Sequence, residues 1–456
     1  MNQKSFEQYK RIYRFFEVIL TVALLVGVFA VVWMLYINGL SEKPFTGKGN
    51  IMEIGVYALL SLYFLKVYGG FEIGFFTPIN AILSQVLAMF IVNFLMTVQI
   101  VLTIGSIYPV LSIIKYMFIV WGAQIIASII TVLLFDFIHV RLFPAWDLLL
   151  IYENDSVEFF VDKVNTRRDK YVISEKVCIS AGMDVIREKI CEHTSVIVYD
   201  VSSEMRNDII KFCYGQGTRV YQTPKISDIM IRSANNHHLF DTPLLMSGNI
   251  GLSFEQKLIK RFIDILVSLI MLIVASPFML ITALLIKCED GGPVFFTQRR
   301  ITLGNREFVI YKFRSMIVDA EKDGIARPAV SDDERITKVG RFIRKTRIDE
   351  LPQLINVLKG DMSLVGPRPE RTEHVTKYCN EIPEFRFRTK VKGGLTGYAQ
   401  VYGKYNTSAY DKLKLDLMYI ENYSLALDFR IIVMTIKVIF MKSSTEGFNQ
   451  DNQPKA

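Results

Sequence analysis

The chain has 456 residues, 51% of them hydrophobic, with a formal net charge of +8. Its positive mean hydropathy sets aside an ordinary soluble enzyme in favour of a membrane protein, and its length leaves room for two or three domains. The basic residues lie beside apolar segments and no nucleic-acid motif is present, so the positive charge points to an anionic lipid surface and away from nucleic acid.

Four long apolar runs fill the first third, at roughly 15–37, 51–70, 81–105 and 110–138. Each approaches or exceeds the ~20 residues a helix needs to cross a hydrocarbon core. The first is too long for a signal-peptide core and no small-residue cleavage pattern follows it, so it is expected to be retained. Lys4, Lys10, Arg11 and Arg14 precede the first run and Arg141 follows the fourth, whereas the loops between carry only Lys43 and Lys48, or no basic residue. The positive-inside bias therefore predicts a four-transmembrane-helix domain over 1–140 with the N-terminus and everything after residue 139 in the cytoplasm. No charge is expected mid-span, which argues for an anchor over a transport pathway.

Residues 146–250 switch to strand–helix alternation, with strand-like runs at Asp147–Tyr152, Tyr171–Ser180, Ser195–Val201 and Thr218–Gln222. This predicts a small open parallel α/β sheet. A dinucleotide site would follow the first strand with a glycine-rich turn. Here the turn is Glu153-Asn154-Asp155-Ser156, with no glycine and two negative charges, so the module reads as degenerate Rossmann-like, and a regulatory or assembly role is favoured over nucleotide binding. The five cysteines are widely spaced with no CxxC pair and read as reduced thiols; the five histidines form no metal-ligand pattern, and His237-His238 reads as a polar loop.

The segment 262–287 is again apolar and long enough to span, but Pro277 sits inside it and cannot donate to the carbonyl of Ile273. Ser276 offers a hydroxyl that can satisfy that carbonyl. Both flanks are basic, with Lys257, Lys260 and Arg261 before and Arg299, Arg300, Arg306, Lys312 and Arg314 after, and a true span would export one cluster. The expectation is a re-entrant helix that enters the cytoplasmic leaflet, breaks or bends at Ser276-Pro277 and returns. A proline-kinked fifth transmembrane helix is the alternative.

Arg341 to Pro369 places two carboxylates, Asp349 and Glu350, directly behind Arg341, Arg344, Lys345 and Arg347, with a helical segment and then the proline-stiffened loop Gly366-Pro367-Arg368-Pro369. Helical spacing of Leu351, Leu354, Ile355 and Leu358 puts Asp349 at or just before a helix N-terminus, where the dipole favours its carboxylate and binds phosphate. Capping of that helix is the plainer role for Asp349. The arrangement suits Asp349 as a nucleophile and Glu350 as a ligand of a hard divalent cation, Mg²⁺, completed by water and substrate phosphate. Asp333-Glu334 is a second acidic pair without such a flank. Gly394-Leu395-Thr396-Gly397 reads either as a simple turn or as a close backbone approach to a nucleotide. Asp428 to Lys442 is predicted to lie as an interfacial helix with Lys437 and Lys442 on its polar side, and a polar tail follows over 446–456.

Seven blocks occur in one order: the apolar segment broken by Ser276-Pro277, GGPVFFTQ (Gly291 to Gln298), YKFRSM (Tyr311 to Met316), DELPQL, GDMSLVGPRP, GLTGYAQV and YIENYSLALDFRII. Over roughly 255–445 this resembles the bacterial polyprenyl-phosphate sugar-1-phosphate transferases, in their long form with an N-terminal four-helix unit. One departure is Gly393, where family members commonly carry proline, which loosens that loop. The resemblance implies a mainly helical monotopic catalytic domain with a re-entrant helix, in a multi-pass protein of the bacterial inner membrane with that domain cytoplasmic. It implies transfer of a sugar-1-phosphate from a UDP-sugar to undecaprenyl phosphate, through a phosphosugar intermediate on Asp349, as the first step of surface polysaccharide assembly. Lys312, Arg344 and Arg368 match family positions with phosphate-site roles, and Arg314 and Arg347 are further substrate-binding candidates. The longer family members suggest a homodimer as well as membrane lipids as partners. Which sugar is carried stays open among galactose, glucose and N-acetyl sugars. Two other classes compete: a membrane regulator or scaffold of polysaccharide synthesis without transferase activity, and a transporter.

Overall fold

The computed structural model describes residues 3–105, 108–154, 157–248, 251–318, 320, 333–403 and 407–439. The expected tail over 446–456, Lys442, and Asp155 and Ser156 of the turn after the first strand lie outside the described residues. The chain divides into two compact units, Met1–Pro224 and Lys225–Ala456.

In the first unit the four apolar runs form helices α1 (Gln3–Val32, continued by a π-helical turn at Trp33–Ile37), α2 (Lys48–Tyr68), α3 (Pro78–Ile104) and α4 (Val110–Leu142). All four are long and apolar enough to cross a membrane. α3 starts with a proline in its first turn, where the missing amide costs nothing, and α2 ends at left-handed Gly69. The interior is tied by a polar triangle. The Tyr57 hydroxyl donates to Asn93 Oδ1 (2.7 Å), Asn93 Nδ2 donates to Gln124 Oε1 (2.9 Å), and Gln124 Nε2 reaches the carbonyl of Leu25 (2.8 Å). Such bonds help hold helices where lipid offers no competing water. Glu17 and Glu53 are buried within the first two apolar runs, each close to the start of its run; the expectation of uncharged spans overlooked them. Gln99 donates to Glu53 (2.9 Å).

The same unit carries the four-stranded parallel sheet, β1 (Trp146–Tyr152), β2 (Tyr171–Cys178), β3 (Ser195–Tyr199) and β4 (Arg219–Gln222), in the order β2-β1-β3-β4. Its strands match the predicted runs. Residues 148–151 of β1 are fully buried because both faces are covered. Helix α5 (Val157–Asn165) packs Val157 and Val161 against Leu148 and Leu150; α6 (Met183–Glu192) and α7 (Ser203–Gln216) pack Ile186, Ile190 and Ile209 against Leu149 and Ile151. Glu153 after β1 accepts from the amide of Ser202 (2.6 Å), the residue that caps α7. A carboxylate thus takes the amide at the start of α7, the helix that follows β3.

The second unit begins with α8 (Ile226–Arg232), whose Ile229 enters this unit's core, and an exposed antiparallel hairpin, β5 (Asn235–Leu239) and β6 (Thr242–Met246). Helix α9 (Phe254–Asp290) follows, then the antiparallel pair β7 (Phe295–Ile301) and β8 (Glu307–Phe313), α10 (Lys338–Lys345), α11 (Gln353–Lys359), β9 (Ser363–Val365), α12 (Thr372–Glu381), β10 (Gly394–Thr396), α13 (Tyr398–Tyr402), α14 (Ala409–Glu421) and α15 (Leu425–Ile439). Phe308, Ile310, Leu354, Val357, Met362, Leu364, Phe385, Leu413, Leu417 and Ile431 form one core joining β8, α11, β9, α14 and α15.

Four expectations need correction here. His237 and His238 lie in strand β5, not in a loop. Pro277 does not interrupt α9, which is one helix of 37 residues. The Ser276 hydroxyl donates to the carbonyl of Ile273 (2.8 Å), the group that Pro277 leaves without an amide, so the helix passes through. Lys437 does not lie on a polar face: α15 buries Ile431, Val433, Met434 and Lys437 together. Gly394-Leu395-Thr396 is not a turn but β10, paired parallel to β9.

Candidate active site

Asp349 and Glu350 sit in a single 3-10 turn, Ile348–Glu350, between α10 and α11. The turn is entered through Arg347, a non-glycine residue in the left-handed region (φ 59°). That conformation costs about 1–2 kcal/mol, and it reverses the chain so that the two carboxyls follow the basic end of α10. Pro352 closes the turn and caps α11. Asn356 on α11 then fixes β8: its Oδ1 accepts from the amide of Tyr311 (3.0 Å) and its Nδ2 donates to the carbonyl of Val309 (2.7 Å). This delivers the next residue of β8, Lys312, to Glu350, with Nζ 3.1 Å from Oε1.

The third element is the proline-framed loop. Its backbone lies against β10: the Gly366 amide donates to the carbonyl of Thr396 (2.9 Å) and the Gly394 amide to that of Pro367 (2.9 Å). A Cβ on Gly366 would meet the Lys392 carbonyl at 2.3 Å, and one on Gly394 would meet the Gly366 nitrogen at 2.1 Å. The glycines of the GLTG block therefore serve close packing on this loop. Gly393 gains from not being proline, because its amide donates to Thr302 Oγ1 (3.0 Å), so the expected looseness is offset by a bond proline cannot make. Arg388, itself ion-paired to Asp416 (2.6 Å), donates to the carbonyl of Arg368 (3.0 Å). Arg368 thus presents its guanidinium to the Glu350 carboxylate.

Glu350 accordingly has Lys312, Arg368 and, at 3.8 Å, Arg347 around it. Burial alone would raise its carboxyl, but Arg368, Lys312 and Arg347 override that and hold it well below the usual carboxylate range. Asp349 is buried, and among the described residues its Oδ1 has no hydrogen-bond partner. Burial first, then the charge of Glu350, raises it to about 6 against the opposing pull of Lys312, Arg344 and Arg347. The nearby cations thus serve Glu350 more than Asp349. Burial leaves Lys312 lowered despite Glu350 beside it.

Of the predicted substrate-binding residues, Lys312, Arg344, Arg347 and Arg368 are brought to the two carboxylates. Arg314 is not. Its two terminal guanidinium nitrogens donate to Asp290 at the end of α9, so it fastens that helix to the domain. Ser276 and Pro277 lie far along α9. Arg300, which the sequence marked only as part of a basic flank, belongs to the site: the charges of Arg368, Glu370 and Glu350 act on it, its Nη1 donates to the Pro369 carbonyl (3.1 Å), and among the described residues its buried Nε has no partner. Burial first, then Arg368, lowers it to about 10. No spacing signal separates Arg300 from Arg299; only the β7–β8 pairing turns it inward.

The donors fit a hard cation. Glu350 Oε2 has only a long contact, 3.5 Å, to Arg368 and so is open to such an ion, the rest of whose shell falls to water and a phosphate-bearing ligand. A buried carboxylate with an unpartnered oxygen and a half-buried neighbour, set among Lys312, Arg300, Arg344, Arg347 and Arg368, define a site for phosphoryl chemistry on an anionic substrate.

Comparison with known proteins leads to the same class. Residues 255–442 match the family described as bacterial sugar transferase. A UDP-N-acetylgalactosamine-undecaprenyl-phosphate N-acetylgalactosaminephosphotransferase of Aeromonas hydrophila is 46% identical over 223 residues, 48% of this chain and 52% of that protein. An uncharacterised sugar transferase of Bacillus subtilis is 39% identical over 199 residues, 44% of this chain and 94% of its own length. A UDP-glucose:undecaprenyl-phosphate glucose-1-phosphate transferase of Klebsiella pneumoniae is 41% identical over 211 residues, covering 45% of this chain and 43% of that protein. The chain belongs to the bacterial sugar transferase family. The matches span about half the length of the Aeromonas and Klebsiella relatives.

Proposed function

We propose that the chain transfers a sugar-1-phosphate from a UDP-sugar to undecaprenyl phosphate, releasing UMP and beginning surface polysaccharide assembly. The observation that carries this reading is the unpartnered, buried Asp349 Oδ1 beside a Glu350 already held by Lys312 and Arg368, in a segment of known sugar transferase ancestry. The two carboxylates divide the work. Glu350 stays ionised and organises the cations; Asp349, desolvated and unengaged, is the nucleophile. Its Oδ1 attacks the sugar-bearing phosphorus, the bond to the bridging diphosphate oxygen breaks, and UMP leaves with that electron pair. An oxygen of undecaprenyl phosphate then attacks the same phosphorus and frees the Asp349 carboxylate. Arg368, Arg300, Arg344 and Arg347 are placed to neutralise the phosphate oxygens as charge shifts to the leaving group. Mg²⁺, held from this chain by Glu350, would supply further neutralisation of the diphosphate.

A lipid acceptor requires the site to lie at a membrane surface. Both ends of α9 are bound to the same domain. At one end Arg261 donates to the carbonyls of Val357 and Leu358 (2.6 Å each), and at the other Asp290 pairs with Arg314 while Glu289 accepts from the amide of Lys338 (2.8 Å). Between them Phe262, Leu266, Ile270, Ile273, Val274, Phe278, Ile281 and Leu285 are exposed. This supports a helix that dips into one leaflet and keeps both ends on the cytoplasmic side, with the four N-terminal helices as the anchor. Magnesium-dependent UMP release from purified membranes, given a panel of UDP-sugars and undecaprenyl phosphate, tests the function. Sustained, multiple-turnover release that needs the lipid acceptor would favour the transferase, leaving at most a single equivalent of UMP without it, whereas a regulator or scaffold would release no UMP under any condition.

A further inference from the structure

Strand β9 is short, yet each of its residues is held by groups outside the sheet. Asp264 on α9, buried at 4% exposure, accepts with one oxygen from both the Ser363 hydroxyl (3.1 Å) and the Leu364 amide (3.0 Å). Leu364 points its amide away from β10, so without Asp264 that donor would be buried and unpaired. The Tyr419 hydroxyl lies between the Val365 carbonyl (3.2 Å) and Asp428 Oδ1 (2.8 Å), and Asp428 in turn takes the ammonium of Lys260, one turn before Asp264 on α9. Two residues of the lipid-facing helix therefore fix the three residues that run straight into Gly366-Pro367-Arg368. The prolines around Arg368 leave little freedom between that anchor and the guanidinium.

We infer that Asp264 is a positioning residue for the transfer reaction: by clamping β9 from the membrane helix it sets where Arg368 stands against Glu350. This rests on the function proposed above and extends it, because it makes the seating of α9 a condition for assembling the phosphate site. Asp264 touches no reacting group. It acts through four residues of chain, and a site needs its charged groups held to within about 0.5 Å.

The test uses the full-length protein in lipid nanodiscs. Asp264→Ala removes the acceptor, whereas Asp264→Asn keeps an oxygen able to take both donors. In Asp264→Ala, kcat for UMP release should fall by about 30-fold or more, and Asp264→Asn should restore most of it. The same Asp264→Ala change in an Arg368→Lys background should cost less than about threefold, since the contact being positioned is already degraded. Hydrogen exchange provides a reading that does not depend on turnover: amides of 363–368 should exchange faster in Asp264→Ala while those of α11 and α14 keep their protection. Costs that multiply fully across the two backgrounds, or faster exchange spread over the whole unit, would overturn the inference and make Asp264 a general stability residue. Absence of UMP release from the unaltered protein would instead overturn the proposed function, and the exchange pattern alone would then decide whether Asp264 sets the loop.

Discussion

Asp349 and Glu350 are adjacent in sequence and opposite in condition. Three cations surround Glu350, while Asp349 is desolvated with one oxygen unengaged. Asp349→Asn keeps the shape of the turn and should leave the thermal midpoint within a degree or two, yet lower UMP release by about 10³-fold or more, the loss expected of a nucleophile. Retention of a tenth of the activity would remove Asp349 from that role. Glu350→Gln should do two things at once. It leaves Lys312 and Arg368, partly exposed at 18% and 30%, without their counter-charge, so the second unit should lose about 1–2 kcal/mol, and the Mg²⁺ concentration for half-maximal activity should rise. An unchanged Mg²⁺ titration would take Glu350 out of the metal site while leaving its ion pairs intact. Gly393→Pro tests the departure from the family pattern. The ring would approach Pro369, whose Cγ lies 2.6 Å from an added Cβ, and the bond to Thr302 would be lost, so a cost of about 2–3 kcal/mol in thermal unfolding is expected, where a merely loose loop would be stabilised.

Among the elements, those with a strong period or length were legible and those fixed by packing were not. The four apolar runs and the β1–β4 alternation declared themselves because a membrane and a doubly covered sheet each demand long or unbroken apolar stretches. The cations marked Asp349-Glu350 as a site, but the helix expected from Glu350 begins only at Gln353, and the two carboxylates lie in a separate 3-10 turn before it. Arg300 and the β9–β10 pairing were not, because three-residue strands and inward-turning arginines are decided by distant contacts. Pro277 misled in a specific way: proline predicts a lost bond, but Ser276 supplies the Ile273 carbonyl with a donor and the helix continues. The topology of α9 is tested by single cysteines replacing Lys257 and Arg299 in a background without the native cysteines. Both should resist a membrane-impermeant thiol reagent outside intact spheroplasts and react once the membrane is opened. Labelling of the Arg299→Cys variant from outside would show a fifth span.

At the scale of the whole molecule, the second unit has its own core and contains the family match at 255–442, and the Bacillus relative is matched over 94% of its length by 44% of this chain. A fragment starting at Lys225 should therefore purify with lipid, unfold cooperatively and release UMP; an unfolded fragment would tie the catalytic unit to the first. Its acid stability should follow Glu370. Burial alone would raise that carboxyl, but Lys412 and Arg388 draw it down to about 2. Because the folded value lies below the unfolded value of about 4.3, the stabilisation is present above that pH and is lost as pH falls toward 2. Glu370→Gln should lower the thermal midpoint at pH 7 and converge with the unaltered protein near the bottom of that window. The account stands or falls on the covalent step. The purified protein, mixed with its UDP-sugar in the absence of undecaprenyl phosphate, should release one equivalent of UMP in a burst and carry one sugar-1-phosphate on the peptide containing Asp349, as read by mass spectrometry. UMP that appears only after the lipid acceptor is added, with the Asp349 peptide unmodified throughout, would contradict it.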